Sequence, residues 1–566
     1  MIKRITLENF KGIRERVEIK LSPITLLFGA NSSGKSTVVH ALHYALEVLA
    51  HDNLDADHTT LGGHSIDLGG FRNLVHGHEI DRRIKLFFEF DTSTSLLADY
   101  SDGALDGAPK LDEDETYADI DDQLMSAWVA LEIGWSLALN APQVYVFEVG
   151  ANGHEEPFAR IEAGTTRSLP TTLTVNTNHP LLFDAGVNGT YTVGEEATPA
   201  SYLAWLLESA VDVRPDGMAT LSVFDQPSAI PRWRAPLRVW ADPEEKIAIE
   251  LAAARRIVSK VVVGIGELLV HRLEKLLYVG PLREVPPRNY RPPLTEDLAR
   301  WAEGLGAWDA LNRGGAKLAA ATSRWMDRLG AGYRIELREV LEISTGLAAF
   351  QGILGSLVKD AGDSIAAESD DGKTSLLKDE IPLHITLEEA KILRHGLLAL
   401  TQARKRQDLV LVDQKSGIVV RPNDVGVGIS QVLPVIVAAI YRGERGAGSF
   451  VVIEQPELHI HPRLQVGLAD LFIEQTAGGG NTDHSFLLET HSEHLVLRLL
   501  RRIRETSRGT LPEDVPEVHA QDVAILYVEQ VEGGGVQIRP LRIDDDGEFL
   551  DVWPDGFFDE RMKEVY

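Results

Sequence analysis

Residues 29–36, GANSSGKS, carry the chemistry most legible in this chain. Gly29, Gly34, Lys35 and Ser36 fit a phosphate-binding loop: glycine, four residues, glycine, lysine, hydroxyl. Glycine lets backbone amides close around a phosphate, and the amides from Asn31 through Ser32 and Ser33 to Thr37 can turn inward as a nest. A helix starting there adds the positive end of its dipole. In that setting Lys35 reaches the β- and γ-phosphates of ATP and Ser36 ligates Mg²⁺.

Three later clusters could complete such a site. SFVVIEQPELHIHP (449–462) is an apolar strand ending in Glu454, and an acid at such a strand end is how P-loop enzymes hold Mg²⁺. Read differently, Glu457, His459 and His461 are a metal-ligand set at i, i+2, i+4. Those positions share a face only on a strand, and Pro456 and Pro462 favour a turn and a helix start instead. FLLETHSEHL (486–495) is a second apolar strand, ending in Glu489, Thr490 and His491. His491 can meet a γ-phosphate or an attacking water, and Ser492 can cap the next helix; the two roles are compatible. DVGVGISQVLP (424–434) is a glycine loop in which Ser430 opens an apolar helix. Pro434 belongs near its first turn, and Gly428, Ser430 and Gln431 sit at a second anion-binding helix terminus.

These residues need a scaffold of strands and helices. ITLENF and VEIKL flank a turn at Lys11-Gly12, and ITLLFG reads as a buried strand entering the loop. Thr37–Ala50 reads as the helix after it, which completes the strand–loop–helix context. Residues 51–80 read as loop, IKLFFEFD (84–91) as strand, the acidic 93–125 as surface loop, and 127–139 and 144–150 as strands. Residues 151–240 read as irregular with short strands. Asp242, Pro243 and Glu245 open a helix whose apolar residues Ile247, Leu251, Ala254, Val258, Val261, Ile265 and Leu268 form a heptad seam. LLYVGPL (276–282) is a strand, 295–329 is helical, 361–374 is loop, and 408–420 is a hairpin turning at Lys415–Gly417.

Composition sets the outer bounds. A chain of 566 residues exceeds one compact core. The organisation expected is an N-terminal lobe (1–92), a β-rich insertion (93–240), a helical region (241–380) and a C-terminal lobe with extension (381–566). There is no cysteine, which removes thiol chemistry and Cys-ligated zinc and fits a cytoplasmic location. No apolar run is long enough to span a bilayer. A net charge of −29 repels nucleic acid on average, so any DNA contact needs a local basic patch or a partner.

Taken together, NFKGI, GANSSGKST, the serine–glycine signature, the acid–proline element and the late THS resemble ABC-type ATPase heads. The SMC-like branch and the overcoming-lysogenisation-defect (OLD) ATPases are similar. So are bacterial single-chain ATPases that carry YVGPLR, DVGVGISQVLP, IEQPELHIHP, ETHSEHL and a C-terminal GEFLDVWPDGFFDE. The resemblance covers 1–92 and 276–566 and is absent from 93–240. It implies an α/β fold: a P-loop head with a mixed central sheet, an antiparallel β subdomain and a helical insertion. By position it implies Lys35 and Ser36 as Walker A, Glu454 as the Walker B acid, Ser430 and Gln431 in the signature, and His491 as the switch histidine. It further implies a homodimer that sandwiches ATP and Mg²⁺, with Ser430 of one subunit meeting the γ-phosphate held by Lys35 of the other. An effector partner and a role in anti-phage defence follow from the same group.

The chain departs from that pattern twice. Gln455 stands where such heads usually carry the catalytic glutamate, and glutamine cannot take a proton. Glu457 is the nearest substitute. No glutamine marks a Q-loop; Asn73 in DLGGFRNLVH is the best placement. Two other functions compete. An ATPase–nuclease would use Glu529 and Asp544–Asp546, but about fifteen residues between them are too few for a parallel crossover. A transporter ATPase subunit would need an intact Q-loop and a membrane partner.

Overall fold

A computed structural model describes residues 1–92, 95–98, 100, 124–164, 171–182, 214, 216–226, 228–240, 245–288, 290–342, 404–441, 450–476, 484–531 and 534–554. The expected cap at Asp242 and Pro243, nearly all of the acidic segment 93–125, the loop 361–374 and the last residues of the C-terminal motif lie outside them.

The N-terminal strand pair is β1 (Ile2–Glu8) and β2 (Val17–Lys20). β3 (Ile24–Gly29) is buried at every position and leads into α1 (Ser36–His51). β4 (His58–Thr59) and β5 (Gly63–Asp67) form a small pair within the stretch expected to be loop. β6 (Ile84–Asp91) shows the burial alternation of a strand with one face on the core. β7 (Ser126–Ser136), β8 (Ala141–Ala151), β9 (Ala159–Glu162), β10 (Thr171–Asn176), β11 (Met218–Val223) and β12 (Val239–Trp240) follow. Among the described residues these strands make one nine-stranded antiparallel sheet in the order β12-β11-β10-β9-β8-β7-β6-β1-β2. Strands β7–β12 thus extend the sheet that β1, β2 and β6 begin.

The long helix α2 (Glu245–Glu274) packs by the heptad positions whose side chains are described: Ala254, Val258, Val261 and Ile265 are buried in the main core, and Leu268 is half-buried against it. β13 (Leu277–Val279), α3 (Leu305–Arg313), α4 (Gly315–Leu329) and β14 (Tyr333–Glu342) come next. β15 (Arg404–Asp413) pairs with β14 and with β16 (Val419–Val420). The turn falls where expected: Asp413 accepts the Lys415 and Ser416 amides, and Gly417 has φ 71°.

The C-terminal elements are α5 (Val427–Ile440), β17 (Phe450–Glu454), α6 (Pro462–Thr476), β18 (Ser485–Glu489), α7 (Glu493–Ser507), β19 (Val523–Val531) and β20 (Gly535–Leu541). α5 begins three residues earlier than the sequence suggested. Ser430 lies inside its first turn, and Pro434 is its eighth residue rather than a first-turn one. A proline there has no N–H for the Ser430 carbonyl.

A second sheet runs β13-β17-β18-β3-β19-β20, parallel except for the last pair. β3, β13, β17 and β18 are buried at every position, as parallel strands usually are, and alternation sorts the side chains of the sheet. Leu27, Val452, Leu487 and Leu526 join the core shared with α1, α2 and the antiparallel sheet. Leu26, Ile453, Leu488 and Ile525 join a second core with α3–α7. The molecule is a mixed α/β fold, with its parallel sheet between α1 on one side and a helical layer on the other.

Candidate active site

The parallel order places three strand ends side by side. β3 opens the loop, β18 is its neighbour, and β17 is next, with Glu454 in register with Glu489. The loop itself depends on glycine. Gly29 has φ 153°, and a Cβ there would lie 2.3 Å from the Val528 carbonyl oxygen of β19. Gly34 has φ 101°, and a Cβ there would lie 2.9 Å from Val536. Ser32 is also left-handed, at φ 62°, with its carbonyl held by Gln530 Nε2 at 2.9 Å. No side chain caps the N-terminus of α1; its Thr37 and Val38 amides turn back to the Gly34 and Lys35 carbonyls at 3.0 and 3.3 Å. Ser33 is buried, and its Oγ has no hydrogen-bond partner among the described residues.

Lys35 is 4% exposed and donates to the Gly29 and Ala30 carbonyls at 3.1 and 2.9 Å. Burial lowers its pKa, against the pull of Glu489, Glu454 and Glu457. Ser36 Oγ donates to Glu489 Oε2 at 2.9 Å. Glu454 accepts the Tyr278 hydroxyl at 2.9 Å, and its pKa is raised to about 7 by burial first and by Glu489 second. Burial also raises Glu489 and Glu457.

Gln455 sits at φ 46°. Its amide donates to the Glu489 carbonyl at 2.7 Å, and its carbonyl accepts from Arg283 at 3.0 Å. A non-glycine residue held in the left-handed region between two such bonds is a fixed corner. Glu457 accepts the Thr490 hydroxyl and the His491 amide, each at 2.7 Å, so both its oxygens are spent on the β18–α7 turn. Ser492 caps α7 by accepting from Leu495 N at 3.1 Å. His491 Nε2 is enclosed with no partner among the described residues, and burial, then Lys35, lowers the ring's pKa. The ring is therefore neutral near pH 7.

The signature residues lie further along. Ser430 Oγ donates to the Val427 carbonyl within α5. Gln431 is buried and donates to the Arg283 carbonyl at 2.7 Å. Arg283 returns bonds to the Gln431, Glu454 and Gln455 carbonyls, tying α5 to the end of β17. Gly428 is packed against the His459 carbonyl, and Val427 at the helix start is 61% exposed. Asn73, in the short helix Phe71–Leu74, donates to the Gly69 carbonyl, and Lys11 donates its amide to Leu74 at the end of that helix.

Sequence reading left Glu489, Tyr278 and Arg283 without roles. Glu489 carried the same signal as Glu454, an acid ending an apolar strand. Tyr278 and Arg283 carried none beyond membership of YVGPLR, because their partners lie about 150–175 residues away. The reading of Glu457, His459 and His461 as a metal set fails on geometry. Glu457 is bonded to the β18–α7 turn, His461 Nδ1 accepts from Arg463 N at the start of α6, and His459 is at φ 60°. Among the described residues no group of three or more His, Asp or Glu is placed to hold a metal. The nuclease spacing fails likewise. β19 and β20 are antiparallel neighbours, Asp544 accepts the Glu548 amide, and Asp546 pairs with Arg508 of α7's C-cap.

Three protein-family models match segments of this chain. Residues 1–116 match an AAA ATPase domain model. Residues 295–498 match a model described as "AAA domain, putative AbiEii toxin, Type IV TA system". Residues 518–566 match a protein family of unknown function, DUF3696. Two of the three matched segments are thus similar to AAA ATPase domains. No curated protein matches it. Among solved structures it is similar to an SMC head bound to the C-terminal winged-helix domain of ScpA (10% identity, 96% of this chain and 98% of that one, TM-score 0.35). An SMC head with extended coiled coil from Pyrococcus furiosus, bound to the C-terminal domain of ScpA, gives 11% identity, 100% and 98% coverage and TM-score 0.35. The SMC head domain from Thermotoga maritima gives 8%, 96% and 99%, and 0.33. At those scores the fold description rests on the strands and helices themselves. No helix among the described residues is long and apolar enough to cross a membrane.

Proposed function

We propose that this chain binds ATP with Mg²⁺ in the 29–37 loop and closes on it as a homodimer, gating an effector protein or engaging DNA in anti-phage defence. One observation carries the binding step: the loop, the uncapped start of α1, Lys35 and two strand-end carboxylates meet at one place. The residues fit the group. Ser33 Oγ and His491 Nε2 are buried polar atoms without partners, which phosphate oxygens or water would satisfy. The Ser36 hydroxyl and Glu454 carboxylate are the hard oxygen donors Mg²⁺ takes. When bound, Mg²⁺ neutralises charge on the transferring phosphoryl group.

In this reading Lys35 gives up its loop carbonyls for the β- and γ-phosphates. Gln455 orients water without deprotonating it, so turnover is slow and ATP acts as a gate. Neutral His491, held by Glu457, contacts the γ-phosphate side. The exposed start of α5 faces a second subunit, with Gly428, Ser430 and Gln431 shaping that terminus. The site is cytoplasmic and needs no membrane. The antiparallel β19–β20 pair weighs against the nuclease alternative, and nothing specific favours a transporter subunit.

The test is sedimentation velocity with and without a non-hydrolysable ATP analogue. The wild-type chain should dimerise with the analogue. Lys35→Ala should lose nucleotide binding and remain monomeric. Nucleotide affinity of Lys35→Ala within twofold of wild type would refute the loop assignment.

A further inference from the structure

Strand register puts a second acid closer to the loop than the one the motif names. β18 lies between β3 and β17, so Glu489 is one strand nearer the loop than its register partner Glu454. Both carboxylates are under a tenth exposed. Their hydrogen bonds differ: Glu454 is held by Tyr278, whereas Glu489 accepts the Ser36 hydroxyl.

We infer that Glu489 is the positioning acid of the divalent-cation site. By accepting the Ser36 hydroxyl proton in a hydrogen bond, it turns the lone pairs of Ser36 Oγ toward the cation, while Glu454 supplies a carboxylate oxygen. This deepens the proposed nucleotide reading and rests on it. A serine hydroxyl has one proton and two lone pairs, and it rotates to suit its neighbours. Beside a triphosphate, an unheld Ser36 would donate to a phosphate oxygen and turn its lone pairs away from the metal. An acceptor fixed at a strand end takes up that proton and keeps the lone pairs free. Glu489 is itself fixed: its backbone carbonyl accepts the Gln455 amide, and Leu27 of β3 is its register partner. The bond spans 453 positions of sequence and exists only because β18 sits between the loop strand and β17.

The experiment uses the full chain, a non-hydrolysable ATP analogue and Mn²⁺ followed by electron paramagnetic resonance. Nucleotide affinity is measured separately in EDTA with a fluorescent analogue. Glu489→Ala should weaken Mn²⁺ binding by ~10–100-fold, the range for removing an outer partner of a metal ligand. Its metal-free nucleotide affinity should stay within about twofold of wild type, a split that general loss of structure would not produce. Glu489→Gln, which keeps an acceptor for Ser36, should recover most of the Mn²⁺ affinity. Unchanged Mn²⁺ affinity in Glu489→Ala overturns the inference. So does an equal loss of metal-free nucleotide affinity, or a Gln variant no better than Ala. Failure of the underlying reading looks different: the wild-type chain itself would show no nucleotide-dependent Mn²⁺ site.

Discussion

At the residue scale, the proposed function makes the 454–457 corner the place that decides how fast ATP turns over. In that proposal Gln455 takes the place of a base, and an amide has no useful basicity near neutral pH. Gln455→Glu should therefore raise steady-state phosphate release by ~10-fold or more, given the ~10²–10⁴ contribution of general base catalysis. Its backbone strain at φ 46° is the same for either side chain. Glu457, the substitute base suggested by spacing, is spent on Thr490 and His491. In Glu457→Gln the new NH₂ group faces a donor, so the turn loosens. That variant should lose activity together with about 1–3 kcal/mol of stability, the cost of a buried unmatched group. A loss of rate in Glu457→Gln with an unchanged urea midpoint would show instead that Glu457 is the base.

At the element scale, two helices carry separate tests. α5 offers its N-terminus through Val427, which is exposed and makes a safe site for a charge. An acid in a first helical turn suits the helix dipole, so Val427→Glu should fold normally and bind ATP in the monomer. It should block analogue-dependent dimerisation, because the carboxylate would face the partner's triphosphate. Dimerisation persisting in sedimentation velocity would remove α5 from the interface. α1 carries His43, fully buried, with Nδ1 on the Thr59 hydroxyl and its ring edge-on to Tyr278. Burial holds its pKa at about 3, against about 6.5 in the unfolded chain. Between those values the unfolded chain binds a proton that the folded one refuses, so stability falls as pH drops from 6.5 toward 3. His43→Gln should shrink the difference in unfolding free energy between pH 7 and pH 5 by about 2 kcal/mol, read from urea melts.

At the scale of the whole molecule, the C-terminal segment is part of the core that carries the 29–36 loop. β19 pairs directly with β3, and Trp553 packs edge-on to Phe28 of β3 at 5.4 Å. Arg504 and Arg508 bind the 546–548 turn to α7. Of the acids that suggested a nuclease, Asp544 and Asp546 are committed to folding contacts. Purified chain with Mn²⁺ and plasmid DNA should show no cleavage, and Asp544→Ala should leave that background unchanged. Robust cleavage abolished by Asp544→Ala would promote the nuclease reading.

Sequence by itself determined the loop, its flanking strand and helix, the hairpin at 415–417, the Ser492 cap and the apolar strands ending in Glu454 and Glu489. Each is a local signal, a period, a glycine or a cap written within a dozen residues. Sequence also judged correctly that about fifteen residues leave no room for a parallel crossover between Glu529 and Asp544. It missed the start of α5, because Val427 and Gly428 look like loop until the helix is packed. Tertiary structure alone decided which acid touches which loop residue. Strand order, set by burial of apolar faces on two sides of one sheet, puts β18 rather than β17 beside β3, and so gives Ser36 to Glu489 and leaves Glu454 to Tyr278. Such choices are made by contacts hundreds of positions apart, which no local pattern encodes.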